Sequence, residues 1–121
     1  MKILVVDDSR MAIKMLLKTL KAHTGEEDEI FTGKNGLEAV SLYKEQSPSL
    51  VFLDLTMPEM DGFTALEEIK KINKNARVVI ISADIQKGSM DRVRKEGAFD
   101  FVKKPITAEK MQDIFNKLQT S

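Results

Sequence analysis

The sequence predicts an α/β protein in which helices cover both faces of a five-stranded parallel sheet. Five short apolar runs rich in β-branched or aromatic residues alternate with helical patterns, and the connections between them are short. Right-handed crossovers then put helices on both faces of one (βα)5 unit. The flavodoxin-like form of such a unit is a three-layer sandwich with its strands in the order 2-1-3-4-5, which is the arrangement we expect. Because 121 residues is close to the usual size of one domain, we predict a single domain over residues 1–121 with no output domain.

The predicted strands are the five apolar runs themselves. Gly33, Pro48, Pro58 and Pro105 interrupt the chain in the connections, where residues that break regular structure are expected. We place the strands at Ile3–Val6, Glu29–Thr32, Leu50–Leu53, Val78–Ile81 and Phe99–Val102.

Four amphipathic helices follow from apolar residues spaced at i, i+3, i+4 and i+7. Ser9 and Thr107 are candidate N-caps of the first and last helix. The segment Gln86–Lys95 has a single apolar pair at this spacing, and Gly88 lowers its helix propensity by about 1 kcal/mol relative to alanine. We predict a marginal, movable helix there. The apolar positions of the other four are Ile13, Leu16, Leu17 and Leu20; Gly36, Ala39, Val40 and Tyr43; Gly62, Ala65, Leu66 and Ile69; and Met111, Ile114, Phe115 and Leu118.

The composition limits the kinds of partner. Nineteen Lys and Arg balance nineteen Asp and Glu, so no net charge draws the chain to nucleic acid or to an anionic membrane. The absence of cysteine excludes disulfides, thiol catalysis and thiolate metal sites. The N-terminal apolar run is too short for a signal peptide or a membrane span. We therefore expect a cytoplasmic protein that binds neither nucleic acid nor membranes.

Polar residues of a particular kind follow four of the apolar runs. Asp7 and Asp8 follow the first run, and Asp54 follows the third. Ser82 follows the fourth, and Lys104 comes just after the fifth. In the flavodoxin-like strand order the first and third strands are neighbours, so the three carboxylates should converge. Such a cluster needs cations; Lys104 supplies one, and all-oxygen ligands favour Mg²⁺ as another.

This set of residues suits phosphoryl transfer. A phosphoryl group in transfer spreads charge over its oxygens, and catalysis consists mainly of positioning and neutralising that charge. Mg²⁺, Ser82 and Lys104 can each take one oxygen. Asp54 stands alone on its strand and is the expected nucleophile, which would form an aspartyl phosphate, while Asp7 and Asp8 would hold the metal.

Four motifs resemble the receiver domains of two-component response regulators, and among them the stand-alone chemotaxis-type regulators. The resemblance runs from Lys2 to about Leu118. It rests on VVDDS at 5–9, LVFLDLTMPEMDG at 50–62, VIISA at 79–83 and GAFDFVKKP at 97–105.

The resemblance implies specific roles for the acidic residues. Asp54 would be the phosphoacceptor, and Mg²⁺ would be bound directly by Asp8 and Asp54. Asp7 would hold the metal mostly through water, and the backbone carbonyl of Thr56 would be a further ligand. Thr56 and Asp84 occupy the two positions that influence how long the phosphoryl group lasts.

Two positions depart from the commoner family pattern. Ser82 stands where threonine is more frequent and can still donate its hydrogen bond. Phe101 stands at the switch aromatic, where tyrosine is frequent, so its inward rotation could be driven only by packing. Lys104 matches the phosphate-binding lysine, and the family holds the peptide bond before Pro105 in the cis form.

The resemblance also implies partners. A sensor histidine kinase would donate the phosphoryl group, and a downstream protein, with the flagellar switch as one candidate, would bind the face formed by residues 85–118. A phosphatase is a further candidate partner, and we expect a monomer when the chain is unphosphorylated. Chemotaxis control, a phosphorelay intermediate and a phosphate sink are the open alternatives for the pathway.

Three other classes of protein fit the sequence less well. A phosphatase of the haloacid dehalogenase type has an Asp-x-Asp pattern, whereas this chain has Asp7-Asp8-Ser9. A flavodoxin would place a cofactor phosphate against acids, which repel it. A docking module without phosphorylation would not need the acids, serine and lysine together. Taken singly, Asp8 could cap a helix, Lys104 could be a surface lysine, and Phe101 could be a core aromatic.

Overall fold

The computed structural model describes residues 1–57, 59–83 and 86–120, and it confirms the predicted alternation of five strands with five helices. Asp84 lies outside the described residues. No helix in the described part of the chain is long and apolar enough to span a bilayer. The strands are Lys2–Val6 (β1), Glu29–Gly33 (β2), Leu50–Asp54 (β3), Val78–Ser82 (β4) and Asp100–Lys103 (β5). The helices are Arg10–Leu20 (α1), Gly36–Gln46 (α2), Gly62–Ile72 (α3), Lys87–Lys95 (α4) and Ala108–Thr120 (α5).

The sheet is parallel with the strand order β2-β1-β3-β4-β5, as the sequence predicts. In the register of β1 with β3, Val6 lies opposite Leu53, so the residues that follow each strand meet at the same edge. On the other side of β3, Asp54 lies opposite Ile81 of β4. This edge therefore collects the side chains that the sequence analysis singled out.

Alternate residues of the central strands face two separate apolar clusters, one on each face of the sheet. Val51 and Leu53 of β3 belong to the cluster that α2 and α3 cover. Leu50 and Phe52 of the same strand belong to the cluster covered by α1 and α5. All five residues of β3 are buried, so this strand is fixed from both faces.

The helix caps follow the predictions, and the strand bounds differ from them by one residue. Strand β1 begins one residue earlier than predicted, and β2, β3 and β4 each end one residue later. Ser9 Oγ accepts a hydrogen bond from the Ala12 amide at 3.2 Å, and Thr107 Oγ1 accepts one from the Lys110 amide at 3.1 Å. Strand β5 begins and ends one residue later than predicted, because Lys103 continues the pairing with β4 opposite Ser82. Because Lys103 is polar, a prediction based on apolar runs does not include it in the strand.

Candidate functional site

Three carboxylates meet where β1 and β3 end. Asp7 follows β1 and is 1% exposed, whereas Asp54 ends β3 and is 4% exposed. Asp8 is exposed to solvent beside them. One oxygen from each of the three carboxylates lies within 4.8 Å of the other two. The predicted convergence is therefore confirmed, and it follows from the pairing of the two strands.

The backbone next to β1 fixes the orientation of Asp7. The Ser9 amide donates to Asp7 Oδ1 at 2.9 Å, and the Asp7 amide donates to the Gly33 carbonyl at 3.1 Å. These bonds leave Oδ2 of Asp7 directed into the protein, where it is buried. A buried carboxylate oxygen requires a cation or a hydrogen-bond donor nearby.

Lys104 supplies that cation. Its Nζ lies 2.6 Å from Asp7 Oδ2 and 3.3 Å from Asp54 Oδ1. Burial disfavours the charged ammonium, but the contact with Asp7 and the charges of both acids outweigh this and raise the pKa of Lys104. The lysine is therefore charged at neutral pH and holds the two buried acids together.

The surroundings of Asp54 disfavour its ionised form. Burial raises the pKa of Asp54, and the neighbouring carboxylate of Asp7 raises it further. The charge of Lys104 opposes both effects without cancelling them. A second cation placed among these acids would stabilise the ionised form of Asp54.

The ends of β4 and β5 place Ser82 and Lys104 beside this cluster. Ser82 is the last residue of β4 and is 6% exposed. The Lys104 amide donates to the Ser82 carbonyl at 2.8 Å, which ties the lysine backbone to β4. The peptide bond between Lys104 and Pro105 is cis, in agreement with the expectation.

The connection between β3 and α3 contains Thr56, and Gly62, the first residue of α3, closely approaches the backbone of Asp54. The Gly62 amide donates to the Leu55 carbonyl at 2.9 Å, which brings the two ends of the connection together. A Cβ at Gly62 would lie 2.6 Å from Leu55 Cα and would also collide with the Asp54 carbonyl, so only glycine fits. Thr56 is exposed at the start of this loop.

Phe101 lies apart from the acids. It is in β5 opposite Ile80, is half-buried, and packs against the cluster on the α2 and α3 face. The Phe101 amide donates a hydrogen bond to Asp100 Oδ1 at 2.8 Å. The structure thus brings together Asp7, Asp8, Asp54 and Lys104, and leaves Phe101 at a distance from them.

The donor set suits a hard divalent cation. Three carboxylates face a single lysine, so the cluster retains excess negative charge at neutral pH. All three side chains offer oxygen, which is the ligand atom that Mg²⁺ prefers. The cluster is therefore compatible with Mg²⁺.

The acid that Lys104 approaches more closely could not be predicted from the sequence. The lysine is nearer to Asp7 than to Asp54, although the sequence suggested a lysine reserved for phosphate. The Ser9 amide, which orients Asp7, was also missed. The N-cap pattern at Ser9 could have indicated it, because residues before a helix commonly form such local bonds.

The family described as "Response regulator receiver domain" matches residues 3–116 of the chain. The chain therefore belongs to this family, and membership places it in two-component signal transduction. The interpretations as a haloacid dehalogenase-type enzyme or a flavodoxin are accordingly not supported.

Individual relatives agree with this assignment. The chain is 42% identical over 116 residues to the chemotaxis protein CheY of Bacillus subtilis (strain 168), covering 96% of this chain and 95% of that protein. It is 38% identical over 117 residues to the chemotaxis protein CheY of Thermotoga maritima, covering 97% and 96%. A crystal structure of a CheX-CheY-BeF3-Mg complex from Borrelia burgdorferi matches with a TM-score of 0.88 and 33% identity, covering 99% of this chain and 90% of that one. The chain is thus a homologue of the CheY chemotaxis regulators.

Proposed function

We propose that Asp54 accepts a phosphoryl group from a partner histidine kinase and that the chain works as a single-domain switch. The observation that carries this proposal is the meeting of three carboxylates and Lys104 at one edge of the sheet. One lysine does not neutralise three carboxylates, so the arrangement suits a site that binds further positive charge. Asp54 ends the fully buried central strand β3, which fixes its backbone, and it is the nucleophile that we propose.

Asp8 and Asp54 would bind Mg²⁺ directly, with the Thr56 carbonyl as a further ligand and Asp7 acting mostly through water. When bound, Mg²⁺ supplies positive charge to the oxygens of the transferring group and favours the ionised nucleophile. The hydrogen bond from the Ser9 amide leaves Asp7 held in place for this role.

The transfer step needs little rearrangement of the chain. A carboxylate oxygen of Asp54 would attack phosphorus, the bond from phosphorus to the kinase imidazole nitrogen would break, and the electron pair would leave with the imidazole. The Ser82 hydroxyl and the Lys104 ammonium would each bind one phosphoryl oxygen. Lys104 is already 3.3 Å from Asp54, so a side-chain movement from Asp7 toward the new phosphate is sufficient.

The same site would end the signal. Water would attack phosphorus, the Asp54 carboxylate would leave, and inorganic phosphate would be released. The chain would thus act on its own aspartyl phosphate and not on separate substrates, so we classify it as a switch protein and not as an enzyme.

The output would be a shift between two conformations of the face formed by α4, β5 and α5. Phosphate bound by Ser82 and Lys104 would draw the end of β4 inward, and Phe101 would move into the space released. Phe101 has no ring hydroxyl, so packing alone would drive its rotation.

The relatives guide the choice of pathway and partners. The relatives from Bacillus subtilis and Thermotoga maritima are chemotaxis proteins, so we propose chemotaxis control, with a sensor histidine kinase as donor and a flagellar-motor component as target. The solved complex of CheY with CheX is a precedent for a second protein bound to such a domain. We expect a phosphatase among the partners and a monomer before phosphorylation.

The test is the intact mass of the protein after incubation with acetyl phosphate and Mg²⁺. We expect one phosphoryl adduct on the wild type, and its loss in Asp54→Ala and in a chelated sample. Lys104→Arg is the matched variant, because it keeps the charge and should retain part of the adduct. A wild type that gives no adduct and does not respond to beryllofluoride would leave only the docking-module interpretation.

A further inference from the structure

The N-terminus of α2 holds Met60, which lies in the connection between β3 and α3. The Gly36 amide donates to the Met60 carbonyl at 2.9 Å. Gly36 is the first residue of α2, so its amide has no partner within the helix and is free to bind elsewhere. One helix is thereby tied to the loop that follows Asp54.

Only glycine permits this contact. Gly36 is buried, and a Cβ at this position would lie 2.7 Å from Met60 Cβ and would collide with the Met60 carbonyl. Much of the obstruction is backbone, so a change of side-chain rotamer cannot relieve it. Any larger residue must therefore displace either the loop or the start of α2.

The loop needs such an anchor at this point. Glu59, directly before Met60, has a φ of 70°. This left-handed conformation is unfavourable for a residue with a side chain and persists only where neighbouring structure holds it. At its other end, the loop is closed by the hydrogen bond from the Gly62 amide to Leu55. In the sequence, Thr56 lies between Leu55, whose carbonyl accepts from Gly62, and Met60, whose carbonyl accepts from Gly36.

We propose that Gly36 is a positioning residue for the metal and phosphoryl site: its amide holds the Met60 carbonyl and thereby sets the loop that presents the Thr56 carbonyl beside Asp54. This inference rests on the proposed function, because it assigns a role toward the Mg²⁺ proposed there. Gly36 itself touches neither the metal nor the phosphoryl group. It acts through the backbone of the loop.

The first experiment compares Mg²⁺ affinity, measured by calorimetric titration, with thermal stability in matched variants. Gly36→Ala should bind Mg²⁺ roughly tenfold or more weakly, which is the size of loss typical of residues that support metal ligands. Asn35→Ala is the control, because it removes the side chain that caps the same helix by accepting from the Glu38 amide and keeps glycine at position 36. It should lower the melting temperature and leave the Mg²⁺ affinity unchanged.

The second experiment uses the wild type, so it does not depend on the folding of a variant. Hydrogen exchange of the Gly36 amide, followed by NMR, should slow when Mg²⁺ and beryllofluoride are added, because ordering the loop strengthens its bond to Met60. The amide of Leu17, in α1 and outside the face formed by α4, β5 and α5, serves as the internal reference.

The outcomes separate the two proposals. If Gly36→Ala binds Mg²⁺ as the wild type does, or if Gly36 exchange does not respond to the ligands, the inference is overturned and the proposed function stands. A wild type that binds no Mg²⁺ overturns the proposed function and this inference with it.

Discussion

The site joins a strand that is fixed on both faces to a strand that is not. All five residues of β3, which carries Asp54, are buried, whereas in the four-residue β5 only Val102 is buried. Strand β3 has hydrogen-bonded neighbours on both sides, but β5 is an edge strand paired with β4 alone. The difference indicates that β3 can hold the nucleophile in place and that β5 can move in response to phosphorylation.

Helix α4 belongs to the less constrained half. Val93 is its only buried residue. Arg92 lies 4.2 Å above the ring of Phe63 and 3.8 Å from Glu67, so much of the link between α4 and α3 consists of partly exposed polar contacts. Exposed contacts of this kind contribute little stability. We therefore expect the fixed and movable halves to respond differently to equivalent substitutions.

The largest contrast is expected from one substitution made in both strands. Phe52→Ala in β3 removes a fully buried ring and should lower the free energy of unfolding by about 4 kcal/mol. Phe101→Ala in β5 removes a half-buried ring and should cost about 1–2 kcal/mol. Urea denaturation measures both; equal losses would show that β5 is as constrained as β3.

Removal of the lysine that bridges the two halves comes next. Lys104→Met leaves the buried acids without their cation and should destabilise the protein by about 2 kcal/mol, the usual cost being reduced by partial exposure of the lysine. Because the pKa of Lys104 is raised, its contribution is fully present at neutral pH and is lost only as the pH rises through that pKa.

The control for this variant is Asp7→Asn in the Lys104→Met background. Neutralising Asp7 removes one of the two buried charges that the lysine compensates, so the double variant should recover part of the lost stability. A double variant no more stable than Lys104→Met would argue that the lysine acts through packing and not through charge.

A smaller effect of opposite sign is expected at Asp54. Burial and the charge of Asp7 raise the pKa of this acid, so its ionised form destabilises the metal-free fold at neutral pH. Asp54→Asn should therefore be more stable than the wild type by on the order of 1 kcal/mol in the presence of a chelator. This advantage should shrink as the pH falls through the raised pKa, which thermal melts from pH 7 to pH 4 would follow.

The smallest effects are expected around α4, from one substitution at two glycines. Gly88 has open space around its missing Cβ, so Gly88→Ala should stabilise the helix by roughly 0.5–1 kcal/mol. Gly97 has a φ of 88°, so Gly97→Ala should destabilise the protein by about 1 kcal/mol. Circular dichroism melts compare the two, and effects of the same sign would contradict this account of α4.

The sequence was sufficient to predict most of the fold because the central strands are continuous apolar runs. Strand β3 was predicted to within one residue at its end, where Asp54 continues the pairing with β4. Strand β5 was displaced by one residue because its last member, Lys103, is polar and exposed. The short 3₁₀ turn Lys21–His23 was not predicted, since a three-residue turn leaves no periodic pattern.

The candidate site was predicted in its membership but not in its internal contacts. Strand order alone brings Asp7 and Asp54 together, so their convergence could be inferred from the positions of apolar runs. The preference of Lys104 for Asp7 depends on side-chain geometry that spacing cannot reveal. The contact between Gly36 and Met60 joins the start of α2 to a loop far away in sequence and likewise leaves no local pattern.

The central claim, that Asp54 accepts the phosphoryl group, is tested most directly by locating the modification. Borohydride converts an aspartyl phosphate to homoserine, so the protein is treated with acetyl phosphate and Mg²⁺, reduced, digested and mapped by mass spectrometry. We predict homoserine at position 54 and unmodified aspartate at positions 7 and 8. Homoserine at position 7 or 8 with intact Asp54, or no homoserine in a sample that carries the adduct, would contradict the account.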